Sequence, residues 1–411
     1  MAYLSRVTTE FDTSYTSAFN TLETADLTYL IQGDFVYGIN TQIWNATTVS
    51  GTGAAIDTNA SRLRIQCGTN SAGYAYITSR RIIRYRAGQG INARFTPLFG
   101  TPQANNLQLW GVGTVANNAP VDGYFFGYNG TSFGIAYYNA TVLTFITQAS
   151  FNGDTLNGSG PSGITWNPLF GTAVMIKYPF LGFGNIFFYV QNSITSTWIL
   201  AHTIKYANTT STTALTNPAL QFVGFTKNSG NTTNITMYCG SVGIAISGNR
   251  AFTTDPKWSI DNQKTGITTE TCLLNLQNVT TYNGIVNKGM VRLTQISGVA
   301  TSGGTNVTFF RFKLNGTIGG TPSYSAINGT ASAGGATITN GNSITTYDIA
   351  GTTISGGTLL LTITCLNSVG EFLIDLTNYE IYLAPGEILS ITGTSSASAV
   401  MSVSVNWQED I

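Results

Sequence analysis

Charge is what this sequence lacks most. Only 9% of its 411 residues are Asp, Glu, Lys or Arg, against roughly 25% in an ordinary soluble domain. Histidine occurs once, at His202. Glutamate is missing from residues 35–250, where the acids are Asp57, Asp122 and Asp154. The four cysteines, Cys67, Cys239, Cys272 and Cys365, stand far apart and in no metal-binding spacing. The best apolar run, Phe180 to Val190, is about half the length of a membrane-spanning helix and reads as a strand.

Each scarcity excludes a chemistry. A single histidine removes His-based zinc sites and most acid–base schemes. A Ser-His-Asp triad would have to use His202. His202 falls in an expected strand, Trp198–Tyr206, and reads as a packed strand residue. A glycosidase needs two carboxylates on the order of 5–9 Å apart. Asp122 precedes a glycine in a loop, and Asp154 sits in the Gly/Ser-rich stretch Asn152–Gly163, so neither belongs to a closely spaced acidic pair. The glycine-rich stretches lack the Gly-Lys-Ser/Thr ending of a phosphate loop. No enzyme, cofactor or metal is expected. The cysteines read as buried free thiols, with a Cys67–Cys239 bridge left open. The start carries Arg6, Glu10 and Asp12 without an apolar segment behind them, so no secretory signal is expected. Sequons such as Asn45-Ala-Thr are then given no weight as glycan sites.

What is present is core material and turn residues. Hydrophobic residues make up 42%, with Tyr 20, Phe 22 and Gly 46. Disordered chains are usually charged and poor in aromatics, so this chain should fold, with a polar but uncharged surface of the kind that suits fibres and shells. Helical periodicity is scarce; Thr13 to Leu30 is the best stretch for a short helix or extended arm. Period-two alternation dominates. Leu63, Ile65 and Cys67 alternate with Arg62, Arg64 and Gln66, and Met401, Val403, Val405 and Trp407 alternate with Ser402, Ser404 and Asn406. Asn129-Gly130 between two aromatic runs predicts a hairpin with a type I′ turn. The fold class expected is all-β: two antiparallel β-sandwich or jelly-roll domains behind a short N-terminal arm. The expected divisions are an arm over 1–34, a sandwich over 35–250, a linker over 251–264 and a C-terminal sandwich over 265–411. Residues Ala331 to Ser355, small and polar, predict long surface loops or an edge strand.

Charge is neutral overall but uneven. Eleven basic residues face three acids over 35–250, whereas the stretches before 35 and after 264 are acidic. Seven arginines cluster: Arg62, Arg64, Arg80, Arg81, Arg84, Arg86 and Arg94. Arginine suits fixed planar contacts with carboxylates, phosphates or carbonyls. Docking to an acidic neighbour and a solvated strand face are both open readings. Net neutrality weakens any phosphate-driven binding, so no nucleic-acid partner is expected. Trp110, Tyr124, Tyr128, Tyr137 and Tyr138 would stack on sugars if exposed, although strand aromatics more often belong to a core. Of these, Trp110, Tyr124, Tyr128 and Tyr137 are the candidate glycan-binding residues.

Several stretches, in order, resemble structural proteins of tailed phages and large double-stranded DNA viruses. The first is Arg80-Arg-Ile-Ile-Arg-Tyr-Arg-Ala-Gly-Gln-Gly90 running into Ala93-Arg-Phe-Thr96, similar to a basic-aromatic strand, a Tyr-x-x-Gly-x turn and a strand ending in Thr. Ala87 departs from it where many relatives carry Pro. Asp122-Gly-Tyr-Phe-Phe-Gly-Tyr-Asn-Gly-Thr131 resembles the family's hairpin, Phe151 to Gly163 its Gly-Pro-Ser loop, and Leu181-Gly-Phe-Gly184 with His202 and Ala207-Asn208 its following strands. The resemblance covers roughly 35–250 and implies a concanavalin-like sandwich with no catalytic residues. More loosely, Ile381 to Glu387 and the closing strand to Asp410 are similar to viral jelly-roll modules. The expected function is a non-enzymatic virion structural protein, on the capsid surface or in a fibre or spike. It would act through subunit assembly as a homotrimer, with other capsid or fibre proteins as partners and no membrane insertion. The alternative is a lectin-like module binding host-surface glycan. A polysaccharide-degrading enzyme stands third, disfavoured by the missing carboxylates.

Overall fold

A computed structural model describes residues 27–49, 53–179, 181–248, 255–302, 306–327, 343–365 and 369–411. The chain divides into two compact units, Met1–Arg250 and Ala251–Ile411. Both are built of antiparallel sheet, as the alternation predicts. The one helical element among the described residues is a 3-10 turn at Gln148–Ser150. No described helix is long and apolar enough to cross a membrane.

The first unit has the strands β1 (Leu27–Asp34), β2 (Trp44–Thr48), β3 (Ala54–Asn59), β4 (Arg62–Cys67), β5 (Tyr74–Ser79), β6 (Ile91–Leu98), β7 (Asn106–Ala116) and β8 (Ala119–Asn129). They are followed by β9 (Ser132–Asn139), β10 (Val142–Thr147), β11 (Val174–Tyr178), β12 (Ile186–Gln191), β13 (Trp198–Ile204), β14 (Gln221–Asn228) and β15 (Thr236–Ser247). One sheet runs β13-β12-β11-β6-β15-β4-β3, with β1 also paired to β15; the other runs β10-β9-β8-β7-β14-β5-β2. Their facing sides hold one core, which includes Trp44, Leu63, Ile65, Phe95, Trp110, Phe126, Phe188 and Phe222. Burial follows the pleat: Leu63, Ile65 and Cys67 of β4 are buried while Arg62, Arg64 and Gln66 stand on the outer face.

Two expected divisions change. Leu27–Asp34, assigned to the arm, is a strand of the sheet, paired with β15 from Leu27↔Ser247 to Asp34↔Ser241. Its apolar content, Leu27, Leu30 and Ile31, explains the pairing. The rest of the proposed arm, 1–26, and most of the candidate helix over Thr13 to Leu30 lie outside the described residues. The linker over 251–264 also shortens, because Lys257–Ile267 pairs with the closing strand Ala399–Asp410. This is an edge strand alternating between exposed and half-buried residues, so its polar composition resembles that of a linker. The Asn129-Gly130 hairpin joins β8 to β9, with Asn129 paired to Ser132. Gly130 and Thr131 are therefore its loop residues. Only Gly130 takes a positive φ, whereas a type I′ turn demands one at both central positions.

The second unit has a sheet ordered Lys257–Ile267, Ala399–Asp410, Met290–Ser302, Val369–Asp375, with Tyr382–Leu383 also paired to Met290–Ser302. A second sheet is ordered Ser325–Ala326, Thr345–Asp348, Thr271–Asn278, Ile388–Ser395, Thr308–Leu314, Thr358–Cys365. Trp407, Phe310, Phe312, Leu274, Ile391 and Met401 fill the space between them. Of the small, polar stretch expected over Ala331 to Ser355, residues 331–342 lie outside the described residues; Thr345–Asp348 is a strand.

Candidate functional site

The seven clustered arginines separate into two places. Arg62, Arg64 and Arg94 stand on β4 and β6, on the outer face of the first sheet; Arg80, Arg81, Arg84 and Arg86 lie in the connection between β5 and β6. All seven are half-buried. Arg64 forms a fork with Asp57, directly across on β3, its Nε 2.7 Å from Oδ1. The guanidinium of Arg62 lies 4.4 Å above the Tyr238 ring and its Nε donates to the Asn59 carbonyl, a geometry that fixes a cation over an aromatic face. Arg94 donates to Asn92. Arg80 donates to the Gln42 carbonyl at 3.2 Å, and burial lowers its pKa. Arg80, Arg81, Arg84 and Arg86 are each engaged within the chain. The described contacts of Arg62, Arg64, Arg80 and Arg94 tie the first unit's own strands and loops together.

The candidate sugar-stacking aromatics are not on the surface. Trp110, Tyr124 and Tyr128 are buried between the sheets, and Tyr137 packs half-buried against the same core. Trp110 stacks on Phe222 with centroids 5.8 Å apart, and Tyr128 packs edge-on to Phe133 at 5.0 Å. Their positions on β7, β8 and β9 share the inward parity, which leaves no ring face for a ligand outside.

The opposite parity makes a second apolar layer that alternation alone does not reveal. Leu109, Phe125, Tyr138, Val223 and Phe225 pack together on the outer face of the seven-stranded sheet, with Tyr76, Leu143 and Phe145 beside them. Tyr74, Tyr76 and Phe225 form a run of stacked rings, with centroids 6.2 and 6.0 Å apart. Glycine makes room for this layer: a Cβ on Gly113 would stand 2.3 Å from Phe125 Cζ, and one on Gly127 would stand 2.8 Å from Leu109. β7 and β8 are consequently buried on both faces over most of their length.

The first unit's described carboxylates serve the scaffold. Asp34 accepts from Val36 N, Asp57 pairs with Arg64, and buried Asp122 accepts from Ala140 N. Buried Asp154 accepts from Leu156 N at 2.8 Å and Ser162 N at 2.7 Å, closing the loop between β10 and β11. His202 pins the same loop. Its Nδ1 accepts from Asn152 N at 3.2 Å, which requires a neutral ring, and burial lowers its pKa. Cys67, Cys239, Cys272 and Cys365 are all buried and free, with burial pushing the Cys239 thiol up to about 12. Among the described residues no group of three or more His, Cys, Asp or Glu is placed to hold a metal ion.

In the second unit, buried Glu409 accepts from Ser343 Oγ, from Thr345 Oγ1 at 2.8 Å, from Ile344 N at 3.1 Å and from Trp407 Nε1 at 3.1 Å. Glu270 gathers Lys313 at 2.8 Å and Arg311 at 3.6 Å. Both are cross-strand clamps.

No family model matches this chain, and no curated protein matches it. Among solved structures it is similar to an endo-1,3-β-glucanase from Streptomyces sioyaensis, at 12% identity and TM-score 0.39, over 54% of this chain and 97% of that one. It is similar to arcelin-5, a lectin-like defence protein from Phaseolus vulgaris, at 11% identity and TM-score 0.32, over 53% and 98%. A seed lectin isoform of Lotus tetragonolobus is matched at 9% identity and TM-score 0.33, over 54% and 100%. At such identities and scores no residue role passes from them to this chain.

Proposed function

We propose that this chain is a non-catalytic structural protein of a virus particle's surface, acting through assembly of its own copies, as a homotrimer, and docking on other capsid or fibre proteins. The observation that supports assembly is an unguarded edge in the second unit, Thr358–Cys365. Thr358–Cys365 and Val369–Asp375 each end a sheet and pair on one side only among the described residues. Natural edge strands are commonly guarded by lysine, proline or inward charge. Thr358–Cys365 has no charged residue and no proline, and its Leu359 is 52% exposed; Val369–Asp375 carries Glu371 and Asp375 beside Leu373, which is 67% exposed. The opposite edge of the latter's sheet, Lys257–Ile267, carries Lys257, Asp261 and Lys264. The absence of a catalytic role is supported by the carboxylates and His202, whose hydrogen bonds hold loops in place.

Light scattering on the purified chain at low and high salt tests assembly. A stable oligomer is expected, reduced to monomer by Leu359→Lys with Leu373→Lys. Dissociation of the unsubstituted protein by salt alone would assign the contact to charge instead of the edges. A monomer at both salts would overturn self-assembly.

A second reading, binding of a host-surface glycan, is favoured by half-buried Tyr74 and Tyr76 on the outer face of the seven-stranded sheet, stacked in a run that rests on fully buried Phe225, because ring faces are what sugars pack upon. A glycan array probed with the chain and with Tyr76→Ala tests it: signal lost in the variant supports this reading, and no signal in either ends it.

A further inference from the structure

Four tyrosines meet inside the first unit, drawn from both sheets. Tyr124 comes from β8, Tyr137 from β9, Tyr178 from the end of β11, and Tyr206 from the segment after β13. Tyr124 stacks on Tyr137 with centroids 6.2 Å apart and leans on Tyr178 at 5.6 Å; Tyr206 meets Tyr137 edge-on at 6.1 Å. Tyr124 and Tyr178 are 0% exposed and Tyr206 is 5% exposed. The hydroxyls of Tyr124, Tyr178 and Tyr206 are all buried without a hydrogen-bond partner among the described residues. Tyr137 lies close enough to the Tyr206 hydroxyl to help burial raise its pKa.

Three unpaired hydroxyls in one cluster are not what packing alone would select. Each phenol buried dry weakens folding by on the order of tenfold, whereas phenylalanine of the same shape avoids that loss. The sequence uses phenylalanine freely in the same core, at Phe126, Phe133 and Phe188. Tyrosine at all four cluster positions therefore points to a polar ligand shared by the hydroxyls. Burial holds the Tyr124, Tyr178 and Tyr206 phenols protonated well beyond neutral pH. Neutral phenols both donate and accept, and the charged side chain whose field reaches Tyr124 is Asp122, itself bonded to Ala140 N. That environment selects a small neutral molecule that can also donate and accept.

We propose that the Tyr124, Tyr137, Tyr178 and Tyr206 cluster is an internal hydration site, in which ordered water bridges the hydroxyls of Tyr124, Tyr178 and Tyr206 between the two sheets. Buried water of this kind takes 2–4 polar partners and is part of the folded structure. Tyr137 is half-buried against the same core. The site is independent of the assembly reading above.

A high-resolution crystal structure of the full chain, paired with denaturant unfolding of Tyr178→Phe and Tyr124→Phe, tests this. Water density is expected within roughly 2.7–3.2 Å of at least two of the hydroxyls. Each phenylalanine variant is expected to raise the unfolding constant about five- to tenfold, because removing one hydroxyl strands the partners that remain. An empty interior, direct hydroxyl–hydroxyl bonds in place of water, or variants as stable as the parent or more so would overturn the proposal. Should a variant fail to fold, the density around the parent's four hydroxyls decides alone.

Discussion

Replacing Asp154 by asparagine should unfold the first unit at a markedly lower temperature, although the change removes no volume. The carboxylate is buried and uses both oxygens: Oδ1 accepts from Leu156 N at 2.8 Å and Oδ2 from Ser162 N at 2.7 Å. An amide has one oxygen, so whichever N–H faces Nδ2 loses its acceptor. A stranded buried donor costs about 1–3 kcal/mol, and the surviving bond weakens by about 1 kcal/mol when its acceptor loses its charge. Roughly 2–4 kcal/mol is therefore expected in total. The anchored loop carries fully buried Leu156 into the core, and Trp166 N closes it by donating to the Leu156 carbonyl at 2.8 Å, so the loss is felt by the whole unit. For a domain of 150–250 residues each kcal/mol moves the midpoint by about 2–4 °C, giving a fall of roughly 5–15 °C in calorimetry. Gly160→Ala should act alike, because its Cβ would stand 2.0 Å from Asp154 Oδ1. An Asp154→Asn protein melting within a degree of the parent would refute the assignment. It would return this carboxylate to the list of candidate catalytic groups, since residues held for chemistry are commonly replaced at little or no cost in stability.

Two further perturbations test the same scaffold. His202 titrates below its ordinary value of 6.5 because it is buried, so the unfolded chain binds more protons below pH 6.5. Stability should be complete above that pH and fall as pH drops toward the lower folded value. Urea midpoints at pH 7.5 and 5.5 should differ in the parent and differ less in His202→Gln, and equal pH sensitivity in both would refute this. Gly224→Ala should cost about 1–3 kcal/mol or more, because its Cβ would stand 2.0 Å from a ring carbon of fully buried Trp110. An unchanged urea midpoint would show that the Trp110 ring can move aside.

What was legible in the sequence was whatever depends on one strand at a time. The alternation of Leu63, Ile65 and Cys67 with Arg62, Arg64 and Gln66 gave both the strand and its buried face, and Met401 to Trp407 did the same in the second unit. Properties that depend on which strands lie side by side were not legible. β7 and β8 are buried on both faces because glycines at 111, 113, 123 and 127 admit Phe125 and Leu109 to the outer side, so parity could not tell Trp110 and Tyr124 from surface residues. The arginines look like one cluster because they are close in sequence. The fold sends β4 and β6 to one sheet face and the β5–β6 connection elsewhere, and it sets Asp57 opposite Arg64. The same logic explains the carboxylates. In a chain with so little charge, an aspartate is worth keeping where it can accept from two backbone N–H groups at once, as Asp154 does. Sequence spacing cannot show this, because the second donor, Ser162 N, lies eight residues away across a loop. For the first unit, the scarcity of acids thus has a structural counterpart. Each of its four described carboxylates has a bonding task that neutral Ser, Thr or Asn could not perform as strongly, and the remaining surface is left to uncharged residues.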